Sequence, residues 1–168
     1  MRLLAVSAAI LATGLLAGSA LASPAAPGSV RVSIGPQLQS HAREIGQREL
    51  DDLAVELRRD VETQLAANGG RSEDLASVDL VITAATPNRP TMEQMARTPG
   101  LSFASFAVGG ATIEGTVTMA DGATRPVRYH YFQTDIRQVR HAGVWEDAER
   151  AFDMFARDLA RGRAYASR

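Results

Sequence analysis

A chain of 168 residues with a formal charge of −1, 45% apolar and 22% charged residues fits one compact domain. The near-neutral balance argues against nucleic acid, or an anionic membrane surface, as the main partner. With no cysteine, the chain has no disulfide staple, thiol nucleophile or thiolate metal site, so its core alone must stabilise it.

The first 22 residues read as a signal peptide. Arg2 is a short positive region, Leu3 to Leu16 an apolar core, and Ala20-Leu21-Ala22 a small-x-small cleavage site. A retained membrane anchor is the rival reading, since about 20 apolar residues span a bilayer. Gly14, Gly18 and the small residues before Ser23 favour cleavage, which implies a periplasmic protein without stable membrane insertion. Residues 23–29, SPAAPGS, form a flexible lead with nothing to bury. A single α/β domain over residues 30–162 follows, and residues 163–168 are a tail.

Val30, Val32 and Ile34 alternate with polar residues and predict a first strand, which Gly35-Pro36 ends. The stretch from Glu44 to Asn68 then predicts a long helix. Leu50, Leu53, Leu57, Val61 and Leu65 recur at gaps of three and four, while Asp51, Asp52, Glu56, Arg58, Arg59 and Glu62 take the other face. Gly69-Gly70 is its stop signal. Val78 to Ala85 reads as an interior strand, with Val78, Leu80, Ile82 and Ala84 inward and Val81 on the other face. Strand, helix and strand in this order predict a right-handed crossover between two parallel strands.

The connection from Thr86 to Gly110 is long. Thr91 followed by Gln94 is a capping box, which predicts a short helix over residues 92–97. Leu101, Phe103 and Phe106 are expected to tack the remainder onto the core. Ala111 to Met119 and Arg125 to Thr134 then alternate as two strands of a hairpin. A three-residue loop, Ala120-Asp121-Gly122, is the length that keeps both apolar sets on one face. It places Glu114 opposite Arg128, Thr112 opposite His130 and Ile113 opposite Tyr129. Trp145 to Arg161 closes the chain as a second amphipathic helix, stopped by Gly162. The expected fold is α+β, an α/β two-layer sandwich. A four-stranded mixed sheet carries two long helices on one face, in the order β-α-β-(short helix)-β-β-α.

Two regions are candidate sites. The outer sheet face, with Ser33, Val81, Thr83, Thr112, Glu114, Thr116, Arg128, His130 and Phe132, either binds something or is simply a solvated back face. Within it, a catalytic reading would use His130 as base and Glu114 to orient it in a hydrolase-like enzyme, but Glu114 opposite Arg128 is more simply a cross-strand ion pair. No nucleophile or metal motif accompanies them, so no catalytic residue is assigned and whether the chain is an enzyme stays open. The second region is the long connection. Asn88 and Arg89 in its first turn, with Phe103, Phe106, Gly109 and Gly110, can line a pocket. The competing reading has the glycines only bending the chain and the phenylalanines in the core. His41, His130 and His141 lack ligand spacing, so no metal and no cofactor is expected. Arg137, Arg140 and His141 read as a solvated basic loop.

Three pieces, REIGQRELDDLAVELRRDVE, VDLVITAATPNRPT and the helix from Trp145 to Leu159, together resemble the layout of uncharacterised exported proteins of Proteobacteria. The chain also looks like the small α/β domains of envelope lipoproteins, but departs from them in lacking the lipidated cysteine. The resemblance implies a periplasmic location and carries over no active site. The function expected is a non-catalytic periplasmic accessory or binding protein, with an unknown periplasmic protein or small ligand as partner. The alternatives are the small hydrolase above and a subunit of a cell-envelope assembly.

Cleavage is testable directly. Mass spectrometry of the exported protein should show a mature chain beginning at Ser23, and an intact N-terminus in the membrane fraction would overturn the signal-peptide reading.

Overall fold

The leucine stripe does form a helix, because its apolar residues share one face and find a sheet to lie on. The computed structural model describes residues 29–68, 74–139 and 142–164. The signal segment, residues 23–28 of the lead, the Gly69-Gly70 stop, Arg140, His141 and residues 165–168 lie outside the described residues. Strand β1 (Ser29–Ile34) leads into two short helices, α1 (Pro36–Ser40) and α2 (Ala42–Ile45), and then the long α3 (Gln47–Ala67). Strand β2 (Leu75–Thr86) and helix α4 (Met92–Arg97) precede the hairpin of β3 (Gly110–Met119) and β4 (Thr124–Phe132). A 3-10 turn at Ile136–Val139 connects to the last helix, α5 (Glu146–Ala160).

The strands lie in the order β1-β2-β3-β4, with β1 parallel to β2 and the other pairs antiparallel. That is the four-stranded mixed sheet expected, with α3 and α5 over one face. Leu50, Leu57 and Val61 of α3 and Phe152 and Phe155 of α5 are fully buried against Val78, Ile82, Ile113 and Val117. Burying one such side chain stabilises the fold by about 1.5–3 kcal/mol. Tyr129 reaches the same layer and packs its ring 5.9 Å from that of Phe155. Trp145, ahead of α5, donates its indole N–H to Glu49 of α3 at 2.7 Å, tying the two helices at that end.

The hairpin register is the expected one. Met119 donates to the Ala123 carbonyl at 2.8 Å across Ala120-Asp121-Gly122, with Gly122 in the left-handed region at φ +84. Glu114 faces Arg128, Thr112 faces His130, and Ile113 faces Tyr129.

Three local expectations need correction. The long helix does not begin at Glu44. Gly46 takes φ +107, which a residue with a side chain adopts only under strain, and it separates α2 from a helix starting at Gln47. Pro36 does not merely end β1 but occupies the first turn of α1, where its missing N–H is no loss. Ala84 does not face the helices. The register shifts between Ile82 and Ala84, so Ala84 pairs with Thr112 on the outer face and Ala85 with the buried Ala111.

Where α3 meets α5, acidic residues crowd together. Burial, reinforced by Glu56, Asp153 and Glu149 and opposed by Arg59, pushes the carboxyl of Asp60 up to about 6. Burial and neighbouring glutamates likewise raise Glu149. A carboxyl with a raised folded-state pKa favours folding below its unfolded value, and that contribution is lost as pH rises through about 6. Asp60→Asn should therefore stabilise the protein more at pH 7.5 than at pH 5. Asp60 is only half-buried, so after solvent screening the difference should be about 1 kcal/mol. Urea unfolding at the two pH values measures it, and an equal effect at both would contradict the crowding.

Candidate functional site

The outer sheet face is organised by polar pairs. Arg31 bonds Asp79 across β1 and β2, and Arg128 lies 3.2 Å from Glu114 across β3 and β4. His130 Nδ1 lies 2.9 Å from the Thr112 hydroxyl, and its ring rests against Phe132. The strands thus bring Glu114, Arg128 and His130 onto one face, but each of the first two is engaged by the other. The contact of His130 is Thr112, not Glu114. An open trough of about 590 Å³ crosses β1 to β3 on this side, walled by Arg31, Ser33, Asp79, Val81 and Thr116. It is the larger of these two hollows, yet its charged walls are already paired, Arg31 with Asp79 and Arg58 of α3 with Glu62.

The long connection between β2 and β3 builds a different kind of site. Its first turn is anchored by Asn88, which is fully buried. The amide nitrogen of Asn88 donates to the Asp147 carboxylate and to the Ala107 carbonyl, the latter at 3.2 Å. Its amide oxygen accepts from the Asp147 N–H at 2.9 Å. Asp147 lies in the first turn of α5, where no residue of the helix's own start caps the free N–H groups. Asn88 thus caps α5 from across the fold. The Asp147 carboxylate also accepts from the Gly109 N–H at 3.2 Å, closing the far end of the connection onto the same group. On the backbone, Asn88 N–H donates to Val144 at 2.7 Å and its carbonyl accepts from Ala107 at 2.9 Å.

Arg89 ties down the middle. Its Nε donates to the Ala142 carbonyl and its Nη1 to the Phe103 carbonyl, each at 2.7 Å, and its guanidinium lies 5.9 Å from the Phe106 ring centre. Thr91 completes the capping box with Gln94 and also donates its hydroxyl to the Ile45 carbonyl at 2.7 Å. That second bond fastens α4 to the end of α2. Between these anchors lies a cleft of about 320 Å³, lined by Pro87, Pro90, Leu101, Phe106 and Ala107 with Thr86, Asn88, Arg89, Gln94 and Ser105.

The sequence-named residues therefore divide. Asn88, Arg89 and Phe106 line the cleft, Phe103 contributes a backbone carbonyl beside it, and Arg128 lies on the sheet. Gly109 and Gly110 are buried behind it rather than lining it. A Cβ on Gly109 would stand 2.8 Å from the Asn88 amide oxygen, and one on Gly110 would strike the backbone of β4. Phe103 and Phe106 do not tack the loop onto the core. They are 52% and 42% exposed, because polar bonds rather than burial hold this segment. Asp147 is the residue that sequence reasoning missed. Its acidic position at a helix start reads as a dipole effect, and nothing local marks its partner 59 residues away. Among the described residues no group of three or more His, Asp or Glu side chains converges as a metal site. His41 pairs with Glu44, and Arg137 with Asp135.

No family model matches the chain, and no curated protein matches its sequence.

Asn88→Ala should strip the Asp147 N–H of its acceptor and leave the buried carboxylate with the Gly109 N–H alone. A loss of about 3 kcal/mol is expected. Asp147→Asn keeps an acceptor for both donors and should cost about 1 kcal/mol. Chemical denaturation ranks the two variants, and a milder Asn88→Ala would mean that water satisfies the network.

Proposed function

We propose that this chain is a non-catalytic periplasmic binding or accessory protein that works through the cleft under the long connection. The observation that carries the reading is a cleft of about 320 Å³ on a scaffold fixed by the buried Asn88 and Asp147 pair. That volume falls at the small end of ligand sites, about 300–1,000 Å³, and a cleft with fixed walls loses little entropy on binding. The signal-like N-terminus supports export. No described helix is long and apolar enough to cross a membrane. The hydrolase-like alternative has less behind it, since Glu114 is held by Arg128 and His130 by Thr112. A subunit role would use the outer sheet face, whose charged residues pair within the chain.

Ala107 lines the cleft and is exposed, so Ala107→Trp should fill the mouth without disturbing the core. Equilibrium dialysis of both proteins against a periplasmic small-molecule extract, followed by mass spectrometry, tests the reading. Compounds enriched by the natural chain should be lost with Ala107→Trp. Enrichment that is absent, or unchanged by the substitution, counts against the cleft.

A further inference from the structure

Asn88 and Arg89, which anchor the cleft, are engaged inside the fold. Asn88 uses both amide hydrogens, its amide oxygen and both backbone groups. Arg89 commits Nε and Nη1 to backbone carbonyls and makes a further interaction besides. Gln94 gives its amide oxygen to the Thr91 N–H at 3.0 Å. A charged ligand entering here loses its hydration, and an anion would have to share an Arg89 guanidinium already engaged in pinning the loop. Apolar surface is what remains on offer, from Pro87, Pro90, Leu101, Phe106 and Ala107. Three neutral donors stand among it. The Nε2 group of Gln94 and the hydroxyl hydrogens of Ser105 and Thr86 have no acceptor among the described residues.

Taking the binding reading above as its premise, we propose that the cleft selects an uncharged, largely apolar small molecule carrying one hydrogen-bond acceptor. The apolar body lies against Leu101, Phe106 and the two prolines. The acceptor meets Gln94 Nε2 or the hydroxyl of Ser105 or Thr86. Selectivity comes from rejection: an ion gives up its hydration for a mostly apolar lining whose one guanidinium is already engaged, so ionised analogues of the same shape bind poorly.

Three probes of similar size and shape separate the possibilities: methyl benzoate, benzoate and benzylamine. Each is titrated into the mature protein while backbone amide resonances of Gln94, Leu101 and Ala107 are followed by NMR at pH 7. Methyl benzoate should shift these resonances saturably, with an affinity at least tenfold above that of either ion. Gln94→Glu retains the oxygen acceptor of the capping box but removes the donor, so methyl benzoate should weaken about fivefold where Gln94 is the donor used. Ser105→Ala and Thr86→Val remove the other two donors in turn, and one of the three variants must show this loss. Benzoate or benzylamine binding as tightly as methyl benzoate would overturn the proposed ligand class while leaving the cleft a binding site. Full affinity in all three variants would overturn the acceptor. No shift from any probe in the natural chain would sink the binding reading itself.

Discussion

A carboxylate withdrawn from water must find donors, and in this protein that requirement falls on Asp147, which is 2% exposed. Two of its donors come from opposite ends of the β2–β3 connection, the Asn88 amide and the Gly109 N–H. The connection therefore cannot wander, although it is long and poor in buried apolar contacts. The same pair solves a second problem, because the Asn88 oxygen caps a helix that lacks a capping residue of its own. One reciprocal contact thus links the β2 end of the sheet, the loop and the helix layer. It also explains the tight backbone around Gly109, where any side chain would push into Asn88.

The frame of the fold was readable because two periodicities carry it. Leu50, Leu53, Leu57, Val61 and Leu65 could share a face only on a helix, and all five are buried. In the hairpin, parity decided the outcome. Only an odd loop keeps Ile113 and Val117 on the same face as Val127 and Tyr129, and Ala120-Asp121-Gly122 supplies it. The misses are places where a single residue changes the phase. Gly46 interrupts a pattern that otherwise runs on from Glu44, and the bulge between Ile82 and Ala84 swaps the faces of Ala84 and Ala85. Neither leaves a trace in hydrophobic spacing. The site was legible only in part. Asn88 and Arg89 stood out as turn residues in a long connection, but their work is to hold that connection, through partners far away in sequence.

The two sheet faces show how the charges are used. On the outer face, Arg31 with Asp79 and Arg128 with Glu114 bridge neighbouring strands, and Thr112 takes up His130. Exposed pairs of this kind are worth at most about 1 kcal/mol each, so they serve the solvated surface more than the stability of the fold. Between the two long helices the balance differs. Glu56, Asp60, Glu149 and Asp153 approach one another at the α3–α5 crossing, and the raised Asp60 carboxyl records the cost. Asp153 is relieved by Arg157, one turn along the same helix. The helix crossing is held by its buried leucines and phenylalanines against that repulsion, not by its charges.

How the loop is fastened determines what it can present. A connection anchored by burying its own Leu101, Phe103 and Phe106 would have used up its apolar surface in the core. Here Asn88, Arg89 and Thr91 do the fastening through hydrogen bonds to Asp147 and to backbone carbonyls. Phe106 is left partly exposed, and it faces the cleft with Leu101. Exposed phenylalanines on a loop carry a solvation cost that packing inward would have removed. The polar anchors prevent that collapse by holding the backbone on either side of the aromatic residues. The result is apolar surface kept outside the core on a backbone fixed by buried polar bonds.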